Sequence, residues 1–409
     1  MSDPIVGLRK PAPADASQRS EPPESRRDRL RRAVRYCLVV FLGVRVGLAI
    51  LALVAVAVLP PLDPVGAPGW PAPPLVPGWH NLVTAWERFD ALWFLRVASG
   101  GYVDGDGSAA FFPLYPMLTR GLSVILGGRP LAAALLVSHA AFLGALVVFY
   151  LLTESEYDEA TARRAVLYLA LFPTAFFFFA PYSESLFLLL AVSSLAAARR
   201  GRWAIAGAAG ALASATRSVG VLLPVPLAVE AFHRWKERRE GLLGPLLWSA
   251  AAALGTGLYL FFWWRTSGDW LAPLHQQATW LREPTFPWET VASATREAFR
   301  WPGVYPGGYH LLDWLVVVPA VAAAVWVAAR ARPVFSAYTW ASLLAPLVLV
   351  FPGRPFMSLP RFLLTMFPLF WAPAILAGRR PWVHQVVVGV SAAGLGLMTV
   401  LFVDWYYVF

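Results

Sequence analysis

Charged side chains are scarce in this chain, at 14% of 409 residues, so the places where they fall are informative. The stretch WERFDALWFLRVASGGY, residues 86–102, sets Glu87 and Asp90 among Trp86, Phe89, Trp93 and Tyr102 in the loop that follows a long apolar run. A carboxylate within reach of a hydroxyl can take its proton, and Phe89 and Trp93 are the candidate walls of its pocket. The same Asp90 would also serve as a helix cap or as a partner of Arg88 or Arg96, and its position alone leaves these readings balanced. Glu87, one helical turn away, reads as a solvated or paired acid. Arg217 and Arg361 fall beside apolar segments, where a guanidinium needs an anionic partner or a route to the headgroups. Glu184, in PYSES with Tyr182 and Ser183, is equally an acid favoured at a helix N-terminus and a hydrogen-bonding group at the end of two spans. Arg354 reads as a rim charge.

The segment DGDG, residues 104–107, contains a D-x-D that would suit a metal-bound diphosphate, but alternating Asp and Gly is also what a turn needs. It begins like a calcium loop, yet Ala109 stands where that loop requires Gly and Tyr115 where it requires Glu. We therefore expect Asp104 and Asp106 to build a turn, with no metal and no cofactor. His139 and His275 lack ligand spacing, and Cys37 has no second cysteine to pair with.

These groups are positioned by an apolar framework. The chain is 58% hydrophobic, whereas an ordinary soluble domain carries about a quarter charged residues. The apolar residues come in runs of roughly 18–22, long enough to cross hydrocarbon as helices. The fold class is therefore an all-α polytopic membrane protein. A net charge of +10 does not imply nucleic acid, because the basic residues cluster beside apolar segments and act as topology signals.

Residues 1–32, rich in Pro, Ser, Asp and Arg, read as a disordered basic tail that stays in the cytoplasm. Residues 33–409 read as one membrane-embedded domain. A span over about 34–59 carries the chain outward into a first outer loop, about 60–130. There Leu82, Trp86, Phe89, Trp93 and Val97 recur at helical spacing and predict an amphipathic interfacial helix, with a second over FFPLYPMLTRGLSVIL. Further spans are expected near 131–152, 165–180, 185–198, 246–264, 311–329, 335–350, 362–377 and 383–403, with a tight pair over 203–232. The total is about eleven, and a second outer loop covers about 265–310.

Four stretches, RFDALWFLRVASGGY with AFFPLYPML, LFPTAFFFFAPYSESLFLLLAV, GALASATRSVGVLL and SLPRFLLTMFPLF, together resemble the PIG-V-like mannosyltransferases of the GT-C class of membrane glycosyltransferases. The resemblance runs from about residue 80 to 375. It implies a GT-C bundle that transfers a sugar, usually mannose, from a polyprenyl-phosphate donor to an acceptor on the outer side, with Asp90 as the catalytic base. That chemistry asks for a cation at the leaving phosphate, for which Arg361 and Arg217 are the candidates. Sugar or acceptor contacts are expected from Glu87, Trp93, Tyr102, Asp104, Asp106, Tyr115, Tyr182 and Glu184. The partners implied are the polyprenyl-phosphate sugar, the bilayer and a lipid-linked or glycan acceptor.

Lysine occurs only at Lys10 and Lys236, which suggests a high-GC bacterial genome. The expected location is then a bacterial inner membrane, with the N-terminus cytoplasmic and the active site extracytoplasmic. Nothing in the motifs separates mannose from glucose or arabinose. The alternative class, a lipid-linked-sugar transporter, would place acids and broken helices at mid-membrane, whereas here the acids sit mostly in loops.

Overall fold

The computed structural model describes residues 25–60, 62–73, 76–300 and 309–407. Its helices are α1 (Arg26–Val58), α2 (Asn81–Thr84), α3 (Asp90–Gly100), α4 (Leu114–Ile125), α5 (Pro130–Glu156), α6 (Glu159–Leu171) and α7 (Glu184–Arg199). They continue as α8 (Trp203–Ser214), α9 (Pro224–Arg238), α10 (Leu243–Ala251), α11 (Leu254–Ser267), α12 (Ala272–His275) and α13 (Pro287–Arg300). The remaining ones are α14 (His310–Arg330), α15 (Pro333–Leu344), α16 (Leu359–Leu363), α17 (Trp371–Arg379) and α18 (Pro381–Val403). One antiparallel pair, β1 (Glu283–Pro284) with β2 (Leu349–Val350), sets Glu283 opposite Val350.

The boundaries follow local chemistry. Asp158 caps α6 by accepting the Thr161 N–H at 2.7 Å, and prolines open α5, α9, α15 and α18, where their missing N–H has no partner to lose. Among the described residues α1, α5, α14 and α18 are each long and apolar enough to cross a membrane, and α10 with α11, bent by 44° at their junction, reach that length and apolarity only together. The outward side of α1 exposes Val39, Val46, Ile50 and Val54, a surface suited to hydrocarbon and not to water. The protein is an integral membrane protein.

Several expected elements differ. Arg26–Arg32, read as tail, already belong to α1; Met1–Glu24 lie outside the described residues. The expected interfacial helix over 82–97 is two helices, α2 and α3, broken where Phe89 takes φ 52°. It is also enclosed by protein: Trp86, Leu92 and Leu95 are fully buried. By contrast α4 keeps an apolar exposed face at Met117, Leu118, Val124 and Ile125, as expected. The second long loop is not plain coil, since it holds α12, α13 and β1; its residues 301–308 are outside the described set. The segments expected to span near 165–180 and 362–377 break into shorter helices and 3₁₀ turns at Pro173 and Pro368. The expectation of about eleven spans therefore stands at four or five helices that meet the length and apolarity of a crossing.

The centre is α5, packed against α1, α4, α6 and α7. Phe142 stacks on Phe178 with ring centroids 4.3 Å apart, inside a cluster that includes Phe176, Phe177, Phe179 and Tyr182. Gly255 lets α11 lie directly on α8, for a Cβ there would stand 2.0 Å from the Ala211 carbonyl oxygen. These contacts fix the ends of α3, α7 and α16, which carry the charged groups.

Candidate active site

Asp90 is the first residue of α3 and Glu184 the first of α7, so both carboxylates sit where helix N–H groups and the helix dipole favour negative charge. Arg361, on the short α16, joins them: its Nη1 donates to Asp90 Oδ2 at 2.5 Å and its Nε donates to Glu184 Oε1. Arg217, in the turn after α8, pairs with the same Glu184 oxygen at 2.5 Å and donates to Ser183 Oγ at 3.2 Å. Two carboxylates and two guanidiniums thus balance one another in a buried cluster. Aromatic rings enclose it: the Arg361 guanidinium lies 4.7 Å from the Tyr182 ring centroid and 5.0 Å from that of Phe177, and Arg217 lies 5.2 Å from that of Phe362.

Asp90 is the open member. Its side chain is 24% exposed, against 0% for Glu184, and only its Oδ2 has a partner, so Oδ1 faces accessible space among the described residues. Arg88 and Arg96, the partners that sequence proximity offers Asp90, are engaged elsewhere. Arg88 is buried and donates to the carbonyls of Val403 at 2.8 Å, Thr84 at 2.9 Å and Glu87 at 2.9 Å. Tyr182 donates to the Arg88 carbonyl at 2.9 Å, which ties the start of α7 to the residue pair before Asp90. Phe89 packs on Phe402, Trp405 and Tyr407, so the segment after α18 closes over this turn.

The other residues singled out from sequence divide into neighbours and frame. Trp93, one turn along α3 from Asp90, stacks on Phe111 at 5.4 Å and meets Trp280 edge-on at 5.3 Å. Glu87 stays out of the cluster; it accepts the Trp70 indole N–H at 3.0 Å, and burial raises its carboxyl pKa against that bond and the Arg88 charge. Tyr115 is buried, bonding the Ala134 carbonyl at 3.0 Å and Ser138 Oγ at 2.8 Å. Tyr102 donates to the Phe111 carbonyl at 2.6 Å and packs against Tyr259 and Trp263. Both tyrosines are framework.

DGDG is a turn, as expected. Asp106 accepts the Ser108 N–H at 2.8 Å and pairs with Arg96, and although burial pushes its pKa up, those Ser108 and Arg96 contacts bring it below the usual value. Asp104 accepts from Gln276 at 3.4 Å. Among the described residues no group of three or more His, Cys, Asp and Glu side chains is placed to hold a metal ion. Arg354 is not a rim charge: it is 2% exposed and makes a two-pronged pair with Asp313 at 2.6 and 2.7 Å.

Two residues near the site were missed. Arg282, in the second long loop, donates to the Leu349 carbonyl and to Ser358 Oγ, both at 3.3 Å, and senses the charges of Asp90 and Arg361. Tyr407 shares that neighbourhood. Neither carries a local motif; both reach the cluster only through long-range folding.

Fold and site together define a helical integral membrane protein with an accessible carboxylate in a buried guanidinium cluster. Residues 71–235 match the model of the family described as Mannosyltransferase (PIG-V). That stretch, less than half of the chain, is similar to the PIG-V-like family and holds three of the four sequence motifs that resemble it. GPI alpha-1,6-mannosyltransferase 2 of Rattus norvegicus is 34% identical over 146 residues, which is 33% of this chain and 30% of that relative. The matched region thus spans less than a third of the relative's length. Among solved structures, ArnT from Cupriavidus metallidurans bound to undecaprenyl phosphate aligns with a TM-score of 0.44 at 15% identity, covering 90% of this chain and 76% of ArnT. The Archaeoglobus fulgidus oligosaccharyltransferase aligns with a TM-score of 0.40 at 13% identity, covering 89% and 53%.

Proposed function

We propose that this chain is an inverting GT-C glycosyltransferase that transfers mannose from a polyprenyl-phosphate-mannose donor to a lipid-linked or cell-envelope acceptor, with Asp90 as general base. The carrying observation is that Asp90 has one oxygen clamped by Arg361 and the other facing accessible space, within the stretch that matches the mannosyltransferase family. A base needs this combination: a fixed orientation and a free lone pair.

In the reaction the acceptor oxygen attacks the anomeric carbon while Asp90 Oδ1 takes the acceptor proton. The bond from that carbon to the phosphate oxygen breaks with its electron pair staying on the phosphate, so the products are the mannosylated acceptor and polyprenyl phosphate. Trp93, one turn along α3 from Asp90 and partly exposed, offers a ring on which a sugar can lie, with Phe111 stacked behind it. Arg361 orients the base, and Glu184 orients Arg361.

The extracytoplasmic placement is supported by charge. Arg29, Arg32 and Arg199 converge on Glu154 and Glu156 at one end of α5, with Arg332 beside them. Tyr115, Ser138 and Tyr182 join near the opposite end of α5. The arginine-rich end suits the cytoplasm, which leaves the cluster on the other side.

The test is transfer of radiolabelled mannose by the purified protein in nanodiscs, wild type against Asp90→Asn. The variant is expected to lose roughly 10²- to 10⁴-fold in turnover while binding polyprenyl phosphate as before. Equal turnover in both proteins would remove Asp90 from the mechanism.

A further inference from the structure

Arg361 and Arg217, the two guanidiniums expected at the leaving phosphate, are already matched by Asp90 and Glu184. An incoming phosphate would have to displace a buried carboxylate to reach either, and separating buried ion pairs is costly. The cluster as a whole offers an anion no net charge.

Arg282 is different. No carboxylate lies within ion-pair distance of it among the described residues, and its two hydrogen bonds go to neutral oxygens, the Leu349 carbonyl and Ser358 Oγ. Ser358 stands three residues before Arg361, so the bond to it places Arg282 next to α16. Arg282 is partly exposed, and it lies near enough to Asp90 and Arg361 for both charges to act on it.

The loop that carries Arg282 is pinned on both sides. Its Gln276 accepts the N–H groups of Gly107 at 3.2 Å and Ala109 at 3.3 Å, and Trp280 packs against Trp93 and Phe111. Glu283 pairs with Val350 just beyond. Leu281, at φ 53°, turns the chain between these anchors so that Arg282 follows the turn directly. A residue held in the left-handed region without being glycine needs surroundings that enforce it.

We propose that Arg282 is the phosphate-binding residue of this site, taking the phosphate headgroup of a polyprenyl lipid through its uncommitted guanidinium edge. This rests on the glycosyltransferase reading. A planar guanidinium with free N–H groups suits two-pronged contact with phosphate oxygens, and charge gathers on those oxygens as the sugar leaves.

The test uses the full chain in phosphatidylcholine nanodiscs and compares binding of undecaprenyl phosphate with that of undecaprenol, which lacks the phosphate. Wild type is expected to prefer the phosphate, and Arg282→Gln to bind it roughly 10- to 100-fold more weakly, the range for losing a charge-assisted hydrogen bond. Undecaprenol binding should be unchanged. Arg282→Lys keeps charge but loses the fork, so it is expected to fall between them. Thermal unfolding checks that each variant is folded, and the Lys variant carries the test if the Gln variant is not. A wild-type preference retained in either variant that folds overturns this inference and leaves the transfer reading standing. No preference in wild type overturns both. Displacement by phosphatidylglycerol or by inorganic phosphate as readily as by undecaprenyl phosphate also overturns it, by making the site one for any phosphate.

Discussion

Arg361 Nη1 meets Asp90 Oδ2 at 2.5 Å across 271 residues of sequence, and the same guanidinium holds Glu184 through Nε. One side chain therefore fixes the relative positions of α3, α7 and α16. The backbone on both sides of this contact is strained: Phe89 precedes Asp90 at φ 52° and Ser358 precedes α16 at φ 67°. Each such residue costs about 1–2 kcal/mol, which the aromatic packing around Phe89 and the ion network around Arg361 must offset. With Leu281 and Trp405, four of the five described non-glycine residues at positive φ border this region, the distribution expected where geometry is held for function.

Glu184 carries the greatest load in the cluster, because both Arg361 and Arg217 depend on its charge. Glu184→Gln leaves two buried guanidiniums with only Asp90 between them. Removing one member of a buried ion network costs about 3–5 kcal/mol, so the variant is expected to unfold at a clearly lower temperature and to lose transfer. Adding Arg217→Gln removes the excess charge and should restore part of the stability, with a coupling of about 0.5–3 kcal/mol. Chemical unfolding of the two single variants and the double variant measures this; an additive cycle would mean that the two side chains do not interact.

Asp90 and Glu184 stand out in the sequence as acids beside distinctive aromatic runs, and Glu184 also as a helix-start charge. DGDG reads as a turn because alternating Asp and Gly is a local signal. What was hidden depends on distance along the chain. Asp90 pairing with Arg361 rather than Arg88 or Arg96, the burial of Arg354 against Asp313, and the approach of Arg282 and Tyr407 are all tertiary outcomes without a spacing signal. The interfacial helix failed at Phe89 because apolar periodicity reports which face is apolar, and it passes unchanged through a single residue that leaves the helical region. The count of spans was uncertain for a related reason: prolines at 173 and 368 interrupt apolar segments that hydropathy alone treats as continuous.

The two aspartates of DGDG should differ from each other. Asp106 is bound to Arg96 and to the Ser108 N–H, so Asp106→Ala is expected to loosen the turn on which Gln276 and the Arg282 loop rest. That predicts a rise in KM for the donor of about tenfold, one charge-assisted bond, with a smaller effect on turnover. Asp104 makes one long bond at 3.4 Å, so Asp104→Asn should keep both parameters within about twofold, since an exposed contact of this kind contributes little. Both carboxylates being committed to protein partners, a chelator should leave transfer unchanged. A collapse of turnover in Asp104→Asn, with chelator sensitivity, would make DGDG a metal site after all.

Asp404 gives the protein a pH-dependent stability that can be separated from activity. It stands one residue beyond α18, is fully buried, and neither carboxyl oxygen has a hydrogen-bond partner among the described residues. Burial raises its pKa from 3.8 to about 6, with the Arg88 charge opposing. The sign follows from proton binding. Between pH 3.8 and about 6 the folded protein keeps a proton that the unfolded chain has released, so this group's contribution falls as pH rises through that window and is constant above it. Asp404→Asn cannot ionise and is therefore expected to unfold at a higher temperature than wild type at pH 7.5, with the gap closing towards pH 4. Transfer should survive, because among the described residues the Asp404 carboxylate shares no hydrogen bond or ion pair with the Asp90 cluster. Thermal unfolding of both proteins in the same detergent across this range is the measurement, and a gap that does not change with pH would assign the effect to packing instead of ionisation.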